Sequence, residues 1–359
     1  MTISNALLSS FQLGNITLKN RVALAPMTRM SADNDGRATD RMARYYESFA
    51  AGGFGLIIAE AAYPDEEYSQ GVLNQPGIAN DDHVTAWKAV TDAVHARGSK
   101  IVLQIAHAGA VSQGNRYRKG AVAPSSVKPI GAEQGQAPRE LTIKEIQDII
   151  AGFAESAVRA EQAGFDGIEL HGASGFLIDE FLTDYTNLRQ DEYGGSTEKR
   201  TRFITEIIRA IREKVGNRIV VGIRISQAKI NNYEYKWANG EQDAEIIFGA
   251  IGAEQTDYIH ITEYNSLAPA FANSNLTLAE LAKKYGKTTV IANGQLDQPG
   301  DAQKALEAGS DLISLGKPAL ANHDWVKKVQ NGLPIEEFTG EVLSPAPTIK
   351  DSELYKEND

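Results

Sequence analysis

Along this chain a short apolar run is followed, eight times over, by an amphipathic helical pattern, and that alternation constrains the fold more than any other feature. The runs stand at 22–25, 55–59, 100–105, 167–170, 219–225, 258–262, 289–292 and 312–315. They are short and rich in Val, Ile, Leu and Ala, as parallel strands buried on both faces must be. Helical patterns follow at about 40–51, 82–97, 142 onward, 196 onward, 244 onward, 278–285, 299–308 and 319–331. Several helix starts are marked. Asp81 or Asp82 serves as a cap, Thr142 with Glu145 forms a capping box, Ser196 or Thr197 opens the next helix, and Pro299 suits a first turn. An open sheet binding a dinucleotide needs a glycine fingerprint after its first strand, and Pro26-Met27-Thr28-Arg29-Met30 stands there instead. The prediction is an α/β chain, 1–359, forming a single (β/α)8 TIM barrel with long βα loops. A short hairpin at about 11–18, turning at Gly14-Asn15, precedes it. Irregular stretches are expected over 107–140 and, with Pro345 and Pro347, over the tail at about 334–359.

Two global properties narrow what such a barrel does. The chain has no cysteine, which removes disulfides, thiolate metal sites, cysteine nucleophiles and iron–sulfur clusters together, and no metal is expected. Its net charge of −11 argues against nucleic acid or an anionic membrane as partner, while allowing a local basic site for a phosphate. No apolar run approaches the roughly 18 residues of a membrane span, and no signal segment opens the chain. The expectation is a cytoplasmic protein acting on a small molecule. Exposed barrel helices also permit a homo-oligomer.

In this fold the active site lies where the strands end at their carboxyl side. The first strand delivers Pro26, Met27 and Thr28, and the second ends at Ala59. The third carries Gln104, an amide that is costly inside a barrel unless paired. His107 follows it and reads as a barrel histidine satisfied by its neighbours. The fourth strand ends abruptly in His171 and a loop of small residues. On the fifth, Arg224 sits between Ile223 and Ile225 and needs an anion or acceptor. The seventh and eighth end in Asn293-Gly294 and Gly316-Lys317, the pair of loops where barrels bind phosphate. The loop 230–239, with Tyr233, Tyr235 and Trp237, is long and aromatic, suited either to a substrate mouth or to surface packing.

The segment His171-Gly172-Ala173-Ser174-Gly175-Phe176-Leu177-Ile178-Asp179-Glu180-Phe181-Leu182, with Asn187-Leu188-Arg189 and Asp191-Glu192-Tyr193-Gly194-Gly195-Ser196, resembles the signature of the Old Yellow Enzyme family of FMN-dependent ene-reductases. The likeness runs from about Phe11 to Trp325. It implies that Pro26, Met27, Thr28 and Ala59 line the flavin, with the Thr28 hydroxyl toward the ring carbonyl beside N5. Gln104 would hold the polar edge of the ring and Arg224 the N1–C2 edge, where charge gathers on reduction. Asn293, Gly294, Gly316 and Lys317 would hold the FMN phosphate, Lys317 replacing the family's arginine and giving up its bidentate fork. NADPH or NADH would be the reductant. His171 and its partner at Ser174 would grip the carbonyl oxygen of the substrate as an oxyanion hole does.

Two positions depart from the family's pattern. Ser174 stands where Asn or His is usual, and it is shorter. Phe176 stands where a tyrosine usually protonates the substrate, and phenylalanine has no proton to give. Losing a positioned acid costs on the order of 10²–10⁴ in rate. Tyr264 after the sixth strand, or Tyr63 and Tyr68 after the second, remain open as substitutes. The resemblance therefore implies reduction of the C=C bond of α,β-unsaturated carbonyl compounds. A reductase of quinones, nitro compounds or oxygen, and a non-catalytic FMN-binding barrel, stay open beside it. A Schiff-base aldolase wants an inward lysine, and Lys100, at the amino-terminal end, is the one lysine in the eight predicted strands.

Overall fold

The computed structural model describes residues 6–131 and 136–355. Positions 132–135 of the predicted excursion and 356–359 of the tail lie outside the described residues. An antiparallel hairpin of β1 (Phe11–Leu13) and β2 (Ile16–Leu18) comes first. The barrel strands are β3 (Val22–Leu24), β4 (Leu56–Ala62) and β5 (Lys100–Ile105). After a two-residue pair, β6 (Val122–Ala123) with β7 (Arg139–Glu140), follow β8 (Gly167–Ser174), β9 (Val220–Lys229), β10 (Tyr258–Thr262), β11 (Thr289–Asn293) and β12 (Leu312–Leu315). The eight run parallel in chain order, and β12 pairs with β3 to close the barrel. The predicted architecture is the observed one.

Two apolar cores divide the work. Ala23, Leu56, Ile58, Val102, Val220, Tyr258, Ile291 and Leu312 fill the lower barrel, and Leu13, Ile16 and Leu18 of the hairpin plug it from beneath. Each plug residue buries a side chain worth about 1.5–3 kcal/mol. Gly222 makes room for the Tyr258 ring, since a Cβ there would lie 2.1 Å from a ring carbon. The larger core lies between the strands and the surrounding helices.

The helices are α1 (Asp40–Ala51), α2 (Asp81–Ala96), α3 (Ile143–Gln162), α4 (Leu177–Leu182), α5 (Thr197–Val215), α6 (Glu241–Ala253), α7 (Leu278–Gly286), α8 (Pro299–Glu307), α9 (Lys317–Ala321) and α10 (Trp325–Asn331). The Thr142–Glu145 capping box and the Ser196 cap form as predicted. Asn80, not Asp81 or Asp82, caps α2, because its side chain accepts from the His83 N–H and leaves both aspartates inside the first turn. The single helix expected over 319–331 is two, separated where the Asn322 amide turns to the carbonyls of Pro318 and Glu336. The short helix α4 was not legible, because all six of its residues are buried and no amphipathic period results.

Strands β8 and β9 run four residues further than their apolar runs, to Ser174 and Lys229. A lysine therefore does stand at the carboxyl end of a strand, against expectation. Its ammonium lies 2.6 Å from Asp179, with side chains 1% and 0% exposed, so it offers no free amine for a Schiff base. The tail from Gly340 to Tyr355 carries two single-turn 3-10 segments and folds back along α1.

Candidate active site

Above the apolar plug the barrel interior turns polar. Glu169 on β8 is fully buried, and its carboxylate receives hydrogen bonds from Gln104 Nε2 at 2.8 Å and the Tyr258 hydroxyl at 3.1 Å. His260 Nδ1 lies 2.8 Å from the same carboxylate, and its Nε2 is 2.7 Å from Ser314 Oγ. Burial works against the ionised carboxylate, but His260 and Arg224 outweigh it and hold Glu169 below the usual range. This buried network fixes the Gln104 amide and lays a rigid floor. Sequence reading missed it. The available signal was a polar residue between apolar neighbours in Ile168-Glu169-Leu170 and Ile259-His260-Ile261.

On that floor stands a cavity of about 350 Å³ lined by Pro26, Thr28, Ala61, Gln104, His171, Ser174, Phe176, Arg224, Thr262, Tyr233 and Tyr264 among others. Arg224 is held by its Nη2, which donates to Thr262 Oγ1 at 3.1 Å and Asn293 Oδ1 at 3.0 Å, while Nη1 reaches the Pro26 carbonyl at 3.5 Å. Its Nε is buried and has no partner. His171 is likewise buried, with Nδ1 unpartnered and its ring 4.3 Å from that of Phe176. Burial first, and the Arg224 charge second, push the His171 pKa down to about 3, so the imidazole is neutral. An unpaired buried donor normally costs about 1–3 kcal/mol. Both residues line the same cavity, so two unpartnered buried nitrogens sit beside it.

The predicted residues fall into place unevenly. Pro26, Thr28, Gln104, His171, Ser174, Phe176, Arg224 and Tyr264 share the cavity wall. Ala59 does not. It alternates with Ile58 into the outer core, and Ala61 lines the cavity because β4 slips in register against β5 between Ala59 and Ala62. Of the alternative tyrosines, Tyr264 lies on the rim, 76% exposed, as does Tyr233 at 69%. Tyr63 is buried elsewhere, bonded to the Tyr117 hydroxyl, and Tyr68 lines a separate cleft with His107. His107 accepts from the Gly109 N–H and lies outside the cavity wall, as its structural reading expected.

Ser174 holds φ +63°, uncommon for serine. Its N–H donates to Ser226 Oγ at 2.9 Å, and its carbonyl accepts from the Ile230 N–H at 3.1 Å. The next residue, Gly175, donates its N–H to Asp179 Oδ2 at 2.7 Å, so the Asp179–Lys229 pair pins the turn that presents Ser174 and Phe176.

At the ends of β11 and β12, the Asn293 amide donates to the Ser314 carbonyl at 3.0 Å and ties the two strands together. Gly294 takes φ +133°, and a Cβ there would lie 2.1 Å from the Glu263 carbonyl oxygen, so only glycine fits. Gly316 has open space beside Met27, the nearest atom being its sulfur at 3.6 Å. Lys317 is exposed next to it. The structure thus puts Gly316, with the exposed Lys317 after it, beside Met27 of the first-strand loop. An FMN fits this donor set, in which Arg224 Nε is buried without a partner. No helix among the described residues is long and apolar enough to cross a membrane, and no group of three or more possible metal-ligating side chains occurs among them.

Known proteins bear on the same residues. The model of the NADH:flavin oxidoreductase / NADH oxidase family matches residues 6–336. An NADH oxidase of Thermoanaerobacter brockii is 36% identical over 342 residues, 92% of this chain and 52% of that protein. The chain therefore spans about half the length of that relative. 12-Oxophytodienoate reductase 2 of Arabidopsis thaliana is 33% identical over 92% of this chain and 90% of its own. The old yellow enzyme homologue of Zymomonas mobilis superimposes with a TM-score of 0.84 at 30% identity, covering 97% of this chain and 98% of that one. With a family model spanning nearly the whole barrel, and an old yellow enzyme homologue superimposing over 97% of the chain, this protein belongs to the NADH:flavin oxidoreductase / NADH oxidase family, the Old Yellow Enzyme family.

Proposed function

We propose that the chain binds FMN in this cavity and reduces the C=C bond of α,β-unsaturated carbonyl compounds, with NADPH or NADH as reductant. The observation that carries the reading is the pair of buried, unpartnered nitrogens, Arg224 Nε and His171 Nδ1, in residues that line one cavity. When bound, FMN supplies the hydride carrier. Arg224 holds a fixed positive charge against its pyrimidine edge, Gln104 offers an amide already oriented by Glu169, and Pro26, Thr28 and Ala61 confine the ring. Gly294, Gly316 and Lys317 receive the phosphate.

His171 and Ser174 hold the carbonyl oxygen of the substrate. A neutral imidazole suits this task, since it donates a hydrogen bond to an oxygen gaining charge without itself needing to change protonation state. Phe176 packs against His171 and carries no proton, so the α-carbon takes its proton from water or from a rim hydroxyl, Tyr233 or Tyr264. The reading is checked by replacing His171 with alanine. The variant is expected to stay yellow with bound FMN while binding phenolic ligands more weakly. Loss of the colour would show that His171 serves the flavin and not the substrate.

A further inference from the structure

The loop that carries Pro26 and Thr28 to the cavity continues into Arg29, whose side chain points away from the site and is 0% exposed. Its guanidinium makes four hydrogen bonds to the far end of the chain. Nη1 and Nη2 each meet a carboxylate oxygen of Glu353 at 2.7 Å, Nε donates to the Pro347 carbonyl at 3.1 Å, and Nη2 also donates to the Thr348 carbonyl at 3.1 Å. The Tyr45 ring covers its face at 4.7 Å. Ser31 adds a second tie, its hydroxyl donating to the Arg29 carbonyl at 2.7 Å and accepting from the Ile349 N–H at 2.9 Å. On the opposite side, the Arg29 N–H donates to the buried Glu60 carboxylate at 2.8 Å. Glu60 is chain neighbour to Ala61, and Arg29 to Thr28, so one hydrogen bond joins two walls of the cavity. The strap residues of this network, from Pro347 to Glu353, lie beyond the family model's match, which ends at residue 336.

We infer that the C-terminal segment Pro347–Tyr355 is a strap that sets the flavin wall, with Glu353 as a positioning residue acting on FMN through Arg29. The inference rests on the reading that the cavity holds FMN. A bidentate, fully buried pair fixes both the position and the rotation of a guanidinium, and with it the backbone one residue from Thr28. Without Glu353, Arg29 keeps only its two carbonyl acceptors and the loop can turn.

The test uses the full chain. FMN affinity is measured by quenching of FMN fluorescence on the apoprotein, and the environment of the bound ring by visible circular dichroism. Glu353→Gln keeps the shape and removes the charge. It is expected to bind FMN about tenfold or more weakly with a changed visible dichroism, as losses of a supporting outer residue typically do. Ser31→Ala is expected to weaken FMN by about threefold, in proportion to the single tie it removes. Asp351→Ala, which breaks only an exposed contact of the same strap with Arg41, should stay within about twofold. FMN affinities of Glu353→Gln and Ser31→Ala both within about twofold of wild type, with unchanged dichroism, would overturn the inference even if their melting temperatures fell. Should Glu353→Gln fail to fold, Ser31→Ala decides by the same threshold. A wild-type protein that takes up no FMN would instead overturn the flavin reading itself.

Discussion

His171 buries an imidazole that is neutral in the folded protein, and that has a thermodynamic consequence measurable without substrate. Its pKa falls from 6.5 to about 3, through burial and the nearby Arg224 charge. A lowered folded pKa means that stability is intact above pH 6.5 and is lost as pH falls toward 3, because the unfolded chain takes up a proton that the folded one refuses. At pH 5.0 the unfolded state gains about 2 kcal/mol from this group, 1.5 units at about 1.36 kcal/mol each. The figure is insensitive to the folded value, provided that value lies well below 5. His171→Asn keeps an amide donor and cannot titrate. Urea midpoints of the apoprotein at pH 7.5 and 5.0, for wild type and variant, give a difference of differences. The other buried histidines with lowered pKa, His83, His107, His260 and His323, contribute equally to both proteins and cancel. The wild type should lose about 2 kcal/mol more than His171→Asn between the two pH values. Equal losses would refute the burial argument and, with it, a neutral donor at the substrate carbonyl.

Three further outcomes follow from the site. Phe176→Tyr restores a phenol beside His171, where the ring centroids now lie 4.3 Å apart, and should speed flavin reoxidation by an enone by roughly 10- to 100-fold in stopped flow. Gly294→Ala forces a Cβ to 2.1 Å from the Glu263 carbonyl at φ +133°. It should cost about 1–3 kcal/mol in backbone strain and show as weaker FMN binding in fluorescence titration. Lys229→Met leaves the Asp179 carboxylate buried without its partner and should destabilise the protein by about 3–5 kcal/mol in urea, whereas adding Asp179→Asn should recover much of the loss.

How much of this was legible in the sequence depended on what each residue had to satisfy. The barrel was readable because parallel strands buried on both faces leave continuous apolar runs. Gln104, His171 and Arg224 were readable because a polar group ending or interrupting such a run must be paired or aimed at a ligand, and all three line one cavity. Ala59 faces the outer core by the same alternation that puts Ile57 there and Ile58 inside, and a register slip after it, which leaves no mark in the sequence, hands the cavity wall to Ala61. The Glu169–His260–Ser314 floor was overlooked because its members come from three distant strands, and nothing local in the sequence pairs them. Lys229 was missed because β9 outlasts its apolar run and continues through Ser226, Gln227 and Ala228. The strap was invisible for a different reason. Its ties to Arg29, the Glu353 carboxylate and the Pro347 and Thr348 carbonyls, come from more than 300 residues away in a segment with no period, so its prolines read only as irregular tail.

Anaerobic stopped flow on the FMN-loaded protein, reduced with NADPH or NADH and then mixed with 2-cyclohexenone, puts the proposed reaction to the test. Rapid flavin reoxidation with formation of the saturated ketone is the predicted result, and it would make Phe176 a variation served by another proton source. Fast reduction with negligible reoxidation by the enone, while a quinone or oxygen reoxidises the flavin readily, would contradict it and leave a flavin reductase of another substrate class.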